Sequence, residues 1–131
     1  MITLEKHFQS EITKWFGEKK NKFNCVYELK ISHGNTIPFS RFEEQQLPSL
    51  YQARYTGKNI KLSDALRNLK PFDGMHLMGV PAYVGIMFNI PKNQKEFYFI
   101  GIDEVLKIKN SGAKSISKKD CQNLGVKFNL K

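Results

Sequence analysis

The chain has 131 residues, 40% of them hydrophobic, and carries 21 Lys and Arg against 12 Asp and Glu, a formal charge of +9. Length and apolar content predict one compact domain over residues 1–131, and the basic excess favours a polyanionic partner over a neutral one. No apolar run reaches the about 20 residues of a membrane helix, and MITLEKHFQS lacks the order of a signal peptide, so a membrane partner is not expected.

Residues 3–17, TLEKHFQSEITKWFG, predict a helix: Thr3 can cap it, Leu4, Phe8, Ile12, Trp15 and Phe16 recur at helical spacing, and Gly17 stops it. On a wheel of about 100° per residue, Glu5 falls inside the apolar arc and Glu11 at its edge. A carboxylate facing the core is costly unless paired, so Glu5 either snorkels to water or serves a site. Lys19, Lys20 and Lys22 then form one basic cluster, and Lys107, Lys109, Lys114, Lys118 and Lys119 a second.

Residues 23–32, FNCVYELKIS, predict a strand, His33-Gly34-Asn35 a turn, and TIPF a short strand returning beside it, with Pro38 at an edge or end. Ser40 and Glu43 have capping-box spacing at the start of a helix through Tyr55, in which Pro48 requires a kink or a later start. Tyr51 and Tyr55, four apart, suit the core or an interface. Residues 57–72 read as a loop with a short helix capped near Ser63. Three strands follow: GMHLMGV, AYVGIMFNI and EFYFIGI. The unbroken apolar run YVGIMF predicts the centre of the sheet, and PKNQ a hairpin between the last two strands. DEVLKI reads as a short helix. A second is capped by Ser117 with Asp120 at the box position and stopped by Gly125, before VKFNL closes the sheet. The order predicts a mixed α/β domain.

Cys25 and Cys121 lie far apart and neither belongs to a CxxC pair. They read as reduced thiols of a cytoplasmic protein, and no Cys/His spacing supports zinc. The pair Glu28 and Lys30 is the sharper signal. Alternation puts the two side chains on one face of the strand. On an exposed face they are an ordinary ion pair. Beside a hard cation, the carboxylate can ligate and the lysine can orient an attacking water. Arg41, Arg54, Lys58, Lys61 and Arg67 are available for phosphate contacts, which give affinity without base specificity.

Glu28-Leu29-Lys30, the following Thr36-Ile37-Pro38-Phe39 and the helix bearing Gln45-Gln46 together resemble the PD-(D/E)XK nuclease superfamily. AYVGIMF and EFYFIGIDEVL are similar to the strand-rich half of that family. The nearest branch by resemblance is the RecU-type and phage Holliday-junction resolvases. The resemblance implies a restriction-endonuclease-like α/β fold, a mixed central sheet flanked by helices, and Mg²⁺- or Mn²⁺-dependent cutting of branched DNA. It implies a homodimer in the cytoplasm of a bacterial or phage-infected cell. Carried over by position, Glu28 is a metal ligand with the Leu29 carbonyl beside it. Lys30 orients the water, and Gln46 projects from its helix to hold Lys30 or a phosphate oxygen. The family also places an aspartate on a strand upstream. No aspartate precedes Glu28 here, the first being Asp64. Asp73, ahead of Gly74 at a strand entry, is the candidate replacement, with Glu5 as the supporting first-helix acid and Glu11 behind it. The other readings are a catalytically degenerate nucleic-acid-binding module and a protein-interaction domain on the same fold.

Overall fold

The computed structural model describes Lys6, Phe8, Ser10, Ile12 and residues 25–61, 74–90 and 95–128. In chain order its strands and helices are β1 (Val26–Ser32), β2 (Thr36–Pro38), α1 (Gln46–Tyr51), β3 (Lys58–Lys61), β4 (Gly74–Leu77), β5 (Ala82–Phe88), β6 (Glu96–Gly101), α2 (Ile102–Asn110), β7 (Ser115–Ser117), α3 (Lys118–Leu124) and β8 (Val126–Phe128). A 3-10 turn (Phe39–Arg41) precedes α1 and a π-helical turn (Gln52–Thr56) extends it. The class is mixed α/β, with a mixed sheet between helices. Among the described residues, no helix is long and apolar enough to cross a membrane.

The main sheet has the order β1-β5-β6-β8, with β1 parallel to β5 and the other pairs antiparallel. The run AYVGIMF therefore lies inside the sheet, and six of its seven residues are buried. Its register sorts the core into two layers. Ala82, Val84, Ile86 and Phe88 face α1, α2 and α3, packing with Leu47, Leu50, Ile102, Val105 and Cys121. Met87 faces the other way, with Leu29, Phe97, Phe99 and the helical Phe8 and Ile12. Leaving water stabilises each such large apolar side chain by about 1.5–3 kcal/mol. Gly85 lies in the second layer because a Cβ there would stand 2.6 Å from a Leu29 methyl and 2.7 Å from the Phe99 ring.

Several expectations change. β2 does not return beside β1. It pairs with β7 in a separate two-stranded sheet. Ser32 turns the chain out of the sheet, its hydroxyl donating to the Thr36 carbonyl at 2.6 Å and accepting from Gly34 N at 3.2 Å. The helix begins at Gln46, and Ser40 lies in the 3-10 turn without capping it. Pro48 accounts for the later start, being tolerated only in a first turn. Tyr51 and Tyr55 are exposed rather than core. β3, expected to be loop, and β4, expected in the main sheet, form a ribbon of their own. Its entry turns on Gly57, whose φ of 100° favours glycine and whose Cβ position is 2.9 Å from the His76 ring. The predicted Ser117–Asp120 capping box on α3 is present in both directions, at 3.0 Å each way. The helix near Ser63, with Asp64, lies outside the described residues.

Candidate active site at the edge of the sheet

Among the described residues, β1 is the outer strand on its side, paired only with β5. Its register sets Glu28 opposite Val84 and Lys30 opposite Ile86, so both charged side chains share the layer covered by α1. They do not lie on an exposed sheet face. Lys30 keeps only 14% of its side chain exposed and Glu28 32%.

Two groups converge on the Glu28 carboxylate. Lys30 Nζ lies 3.6 Å from Oε1, and Gln46 Nε2 donates to the same oxygen at 2.9 Å. The other end of the Gln46 amide is also fixed, because its Oε1 accepts from the Glu43 backbone N–H at 2.9 Å. Gln46 thus holds Glu28, where the resemblance had it holding Lys30 or a phosphate. Lys30 Nζ also stands 5.3 Å from the centre of the Phe42 ring. Withdrawing an ammonium from water costs several kcal/mol. The pair attraction, about 4 kcal/mol at 4 Å for an effective dielectric near 20, and a cation–π contact of about 0.5–2 kcal/mol offset that cost. Glu28 Oε2 has no hydrogen-bond partner among the described residues.

The outer edge of β1 adds a backbone oxygen. Val26 N bonds to Pro81 and the Ser32 carbonyl to Asn89, so the even-numbered residues of β1 direct their backbone toward β5. The Ile31 carbonyl points outward and accepts from Arg41 Nη2 at 3.4 Å. Leu29 shares the parity of Ile31, so its carbonyl also points outward.

Beside these groups a cleft of about 360 Å³ runs between α1 and the β3–β4 ribbon. Glu28, Glu43, Gln45, Gln46, Ser49 and Lys58 supply its polar lining, and Val26, Leu50, Ala53, Ile60 and Leu77 its apolar lining. Sequence reasoning reached Lys58 but missed the apolar wall and Phe42, since nothing local in the sequence ties residues 58–60 or 77 to β1. Glu43, read there as a helix cap, is the second carboxylate of the cleft.

Arg41 and Lys61 are exposed, and Arg54 is half-buried, its Nη1 donating to the Gly79 carbonyl at 3.4 Å and its guanidinium 5.2 Å from the Tyr55 ring centre. Glu5, Glu11, Asp73, Arg67, Lys19, Lys20 and Lys22 lie outside the described residues. Among the described residues, no three His, Cys, Asp or Glu side chains form a metal-holding group. Cys25 and Cys121 are free thiols, and burial pushes both upward, Cys121 to about 12 with Asp120 adding to the shift.

A second ionic cluster lies on the same face of the sheet, toward its β8 edge. Glu96 Oε1 accepts from Tyr98 Oη and Lys127 Nζ, each at 3.2 Å, and Oε2 pairs with Lys118 Nζ. The Lys118 hydrogen bond leads in holding the Glu96 carboxyl below its ordinary value, with Lys127 and Tyr98 assisting against the opposing effect of burial.

No family model, curated protein or solved structure matches the chain.

Proposed function

We propose that the protein is a Mg²⁺- or Mn²⁺-dependent endonuclease acting on branched DNA as a homodimer, with its site at Glu28 and Lys30. The observation that carries this reading is the Gln46 amide fixed on Glu28 Oε1, with Oε2 uncommitted among the described residues, on a strand that also carries the outward Leu29 carbonyl and the nearly buried Lys30. Mg²⁺ is commonly bound through one or two carboxylates, with phosphate oxygens and waters completing its shell, and the donors here are hard oxygens that fit it. Glu28 Oε2 and the Leu29 carbonyl would hold the ion, with Asp73 and Glu5 as further ligands. When bound, the ion supplies charge stabilisation at the phosphate and a more acidic water.

The protein's own residues do the rest. Gln46 fixes the Glu28 rotamer, so the carboxylate is preorganised. Lys30, one pleat along on the same face, orients the attacking water and meets charge developing on the phosphate. Lys58, together with Arg41, Arg54, Lys61 and the cluster Lys19, Lys20 and Lys22, contacts flanking phosphates.

The second reading, a nucleic-acid-binding module on the same scaffold, is favoured by the absence of a metal-holding group among the described residues. Cleavage of four-way and linear DNA with Mg²⁺ or Mn²⁺ separates the two. Glu28→Ala and Lys30→Ala should each abolish cutting while DNA affinity, measured by fluorescence anisotropy, stays largely intact. Cutting that survives both substitutions sinks the assignment of the site. A wild type that never cuts, yet binds DNA with a steep salt dependence, is the binding module.

A further inference from the structure

The cleft beside Glu28 has a mixed lining that a phosphate site alone does not need. Its register explains how it is built. In the β3–β4 ribbon, Lys58 pairs with Leu77 and Ile60 with Met75, so these four side chains share one face. Lys58, Ile60 and Leu77 line the cleft, and Ile60 and Met75 remain 39% and 52% exposed on that face. Across from them stand Val26, Leu50 and Ala53. Two apolar walls thus face each other over a gap of small-molecule size.

The polar groups of the cleft are equally selective. Gln46 is fully engaged, as described above. The Gln45 side-chain amide and the Ser49 hydroxyl line the cleft with no hydrogen-bond partner among the described residues, and the Lys58 ammonium has no carboxylate partner among them. An uncharged donor–acceptor edge and a lone cation therefore border an apolar slot that opens on the Glu28 carboxylate.

We propose that this cleft receives a single unpaired nucleotide of the DNA next to the scissile phosphate, its base between the Val26–Leu50 wall and the Ile60–Leu77 wall and its own phosphate on Lys58. The inference rests on the DNA-cutting reading and deepens it by naming the feature of the substrate that is recognised. A base is flat and apolar on its faces and carries hydrogen-bonding groups on its edge, which matches apolar walls with Gln45 and Ser49 at the rim. About 360 Å³ admits one nucleotide and excludes a paired helix. Bases that are already unpaired enter without the cost of breaking a pair, which gives selectivity for branched or bulged DNA over perfect duplex. Among the described residues no aromatic side chain lines the cleft, so the base is sandwiched by aliphatic groups.

That last point supplies the readout. A duplex carrying one bulged 2-aminopurine, with Ca²⁺ in place of Mg²⁺ to prevent cutting, should bind about tenfold tighter than the same duplex fully paired. Its emission should rise about threefold on binding, because the probe leaves the quenching base stack for a site without aromatic rings. The same probe at a paired position should not change. Ser49→Trp, which fills the cleft from the helix side, should remove the emission gain and bring the two affinities within about twofold. Ile60→Ser, at a position already 39% exposed, should roughly halve the gain and guards against a Ser49→Trp chain that fails to fold. Equal affinity for the two duplexes, or flat emission from a wild type that binds DNA and cuts it with Mg²⁺, overturns the cleft while leaving the nuclease standing. A wild type that neither binds nor cuts DNA removes both.

Discussion

Two carboxylate–lysine clusters sit on one face of the same sheet, toward opposite edges, and they differ in what they leave over. At β6, both oxygens of Glu96 are taken, by Lys118, Lys127 and Tyr98, which tie α3 and β8 to the sheet. At β1, Lys30 and Gln46 crowd onto one oxygen of Glu28, and the second stays open to the cleft among the described residues. Similar residue types make a staple in one place and a candidate reaction centre in the other. Uncommitted coordination, rather than charge content, separates them.

The largest contrast expected is in catalysis. Glu28→Gln should lower cutting of branched DNA at least about a hundredfold, the scale of losing a group that stabilises developing charge, while Glu96→Gln changes it less than about twofold. Equal losses in a gel cleavage assay would erase the distinction. Next in size is Gln46→Ala, which releases Glu28 from its donor. Outer partners of metal ligands are typically worth about 10–100-fold, so a loss near tenfold, partly recovered at higher Mg²⁺, would mark Gln46 as a positioning residue. A loss untouched by metal concentration would give it another role.

The staple should answer in stability instead. Partly exposed charged pairs are screened, so Glu96→Gln should cost only about 0.5–1 kcal/mol in urea denaturation at neutral pH. The sign follows from the lowered carboxyl value. The contribution is present above the ordinary value of 4.5 and is lost as pH falls and Glu96 is protonated in the folded state. Wild type and variant should therefore converge in acid, and a gap that persists at pH 2 would show that packing, not charge, was lost. The smallest effect concerns Cys121, on the buried face of α3 with its thiol pushed up to about 12. At pH 8 a maleimide should label half-exposed Cys25 and spare Cys121. Glu96→Gln should speed Cys121 labelling only a few-fold, because the Ser117–Asp120 box still fixes the helix start.

Local signals in the chain were legible. The β5 run, the Ser117–Asp120 box and the shared face of Glu28 and Lys30 each follow from spacing within a few residues. Gln46 reaching β1 was anticipated by resemblance, although its bond goes to Glu28 rather than Lys30. What the chain hid is decided by distant partners. Alternation cannot say which face of β1 is covered, and only packing under α1 makes the pair semi-buried. Nothing near Thr36–Pro38 names β7 as its partner, and nothing near Lys58–Lys61 shows that its one face walls a cleft. Ser40 and Glu43 fit a capping box in sequence, yet the Gln46 side chain takes the Glu43 amide and the helix starts later.

The parallel pairing of β1 with β5 has a kinetic consequence. Val26 meets Ala82 and Ser32 meets Phe88, so α1 and the β3–β4 ribbon are all carried on one long crossover between neighbouring strands. Such a loop must close before any of its long-range contacts is rewarded, which makes this pairing one of the slower events in folding. Glu28 lies on the strand that this closure docks, and Gln46 and Lys58 lie within the loop. A chain emerging from synthesis therefore carries the residues of the candidate site well before the β1–β5 pairing that frames it has formed.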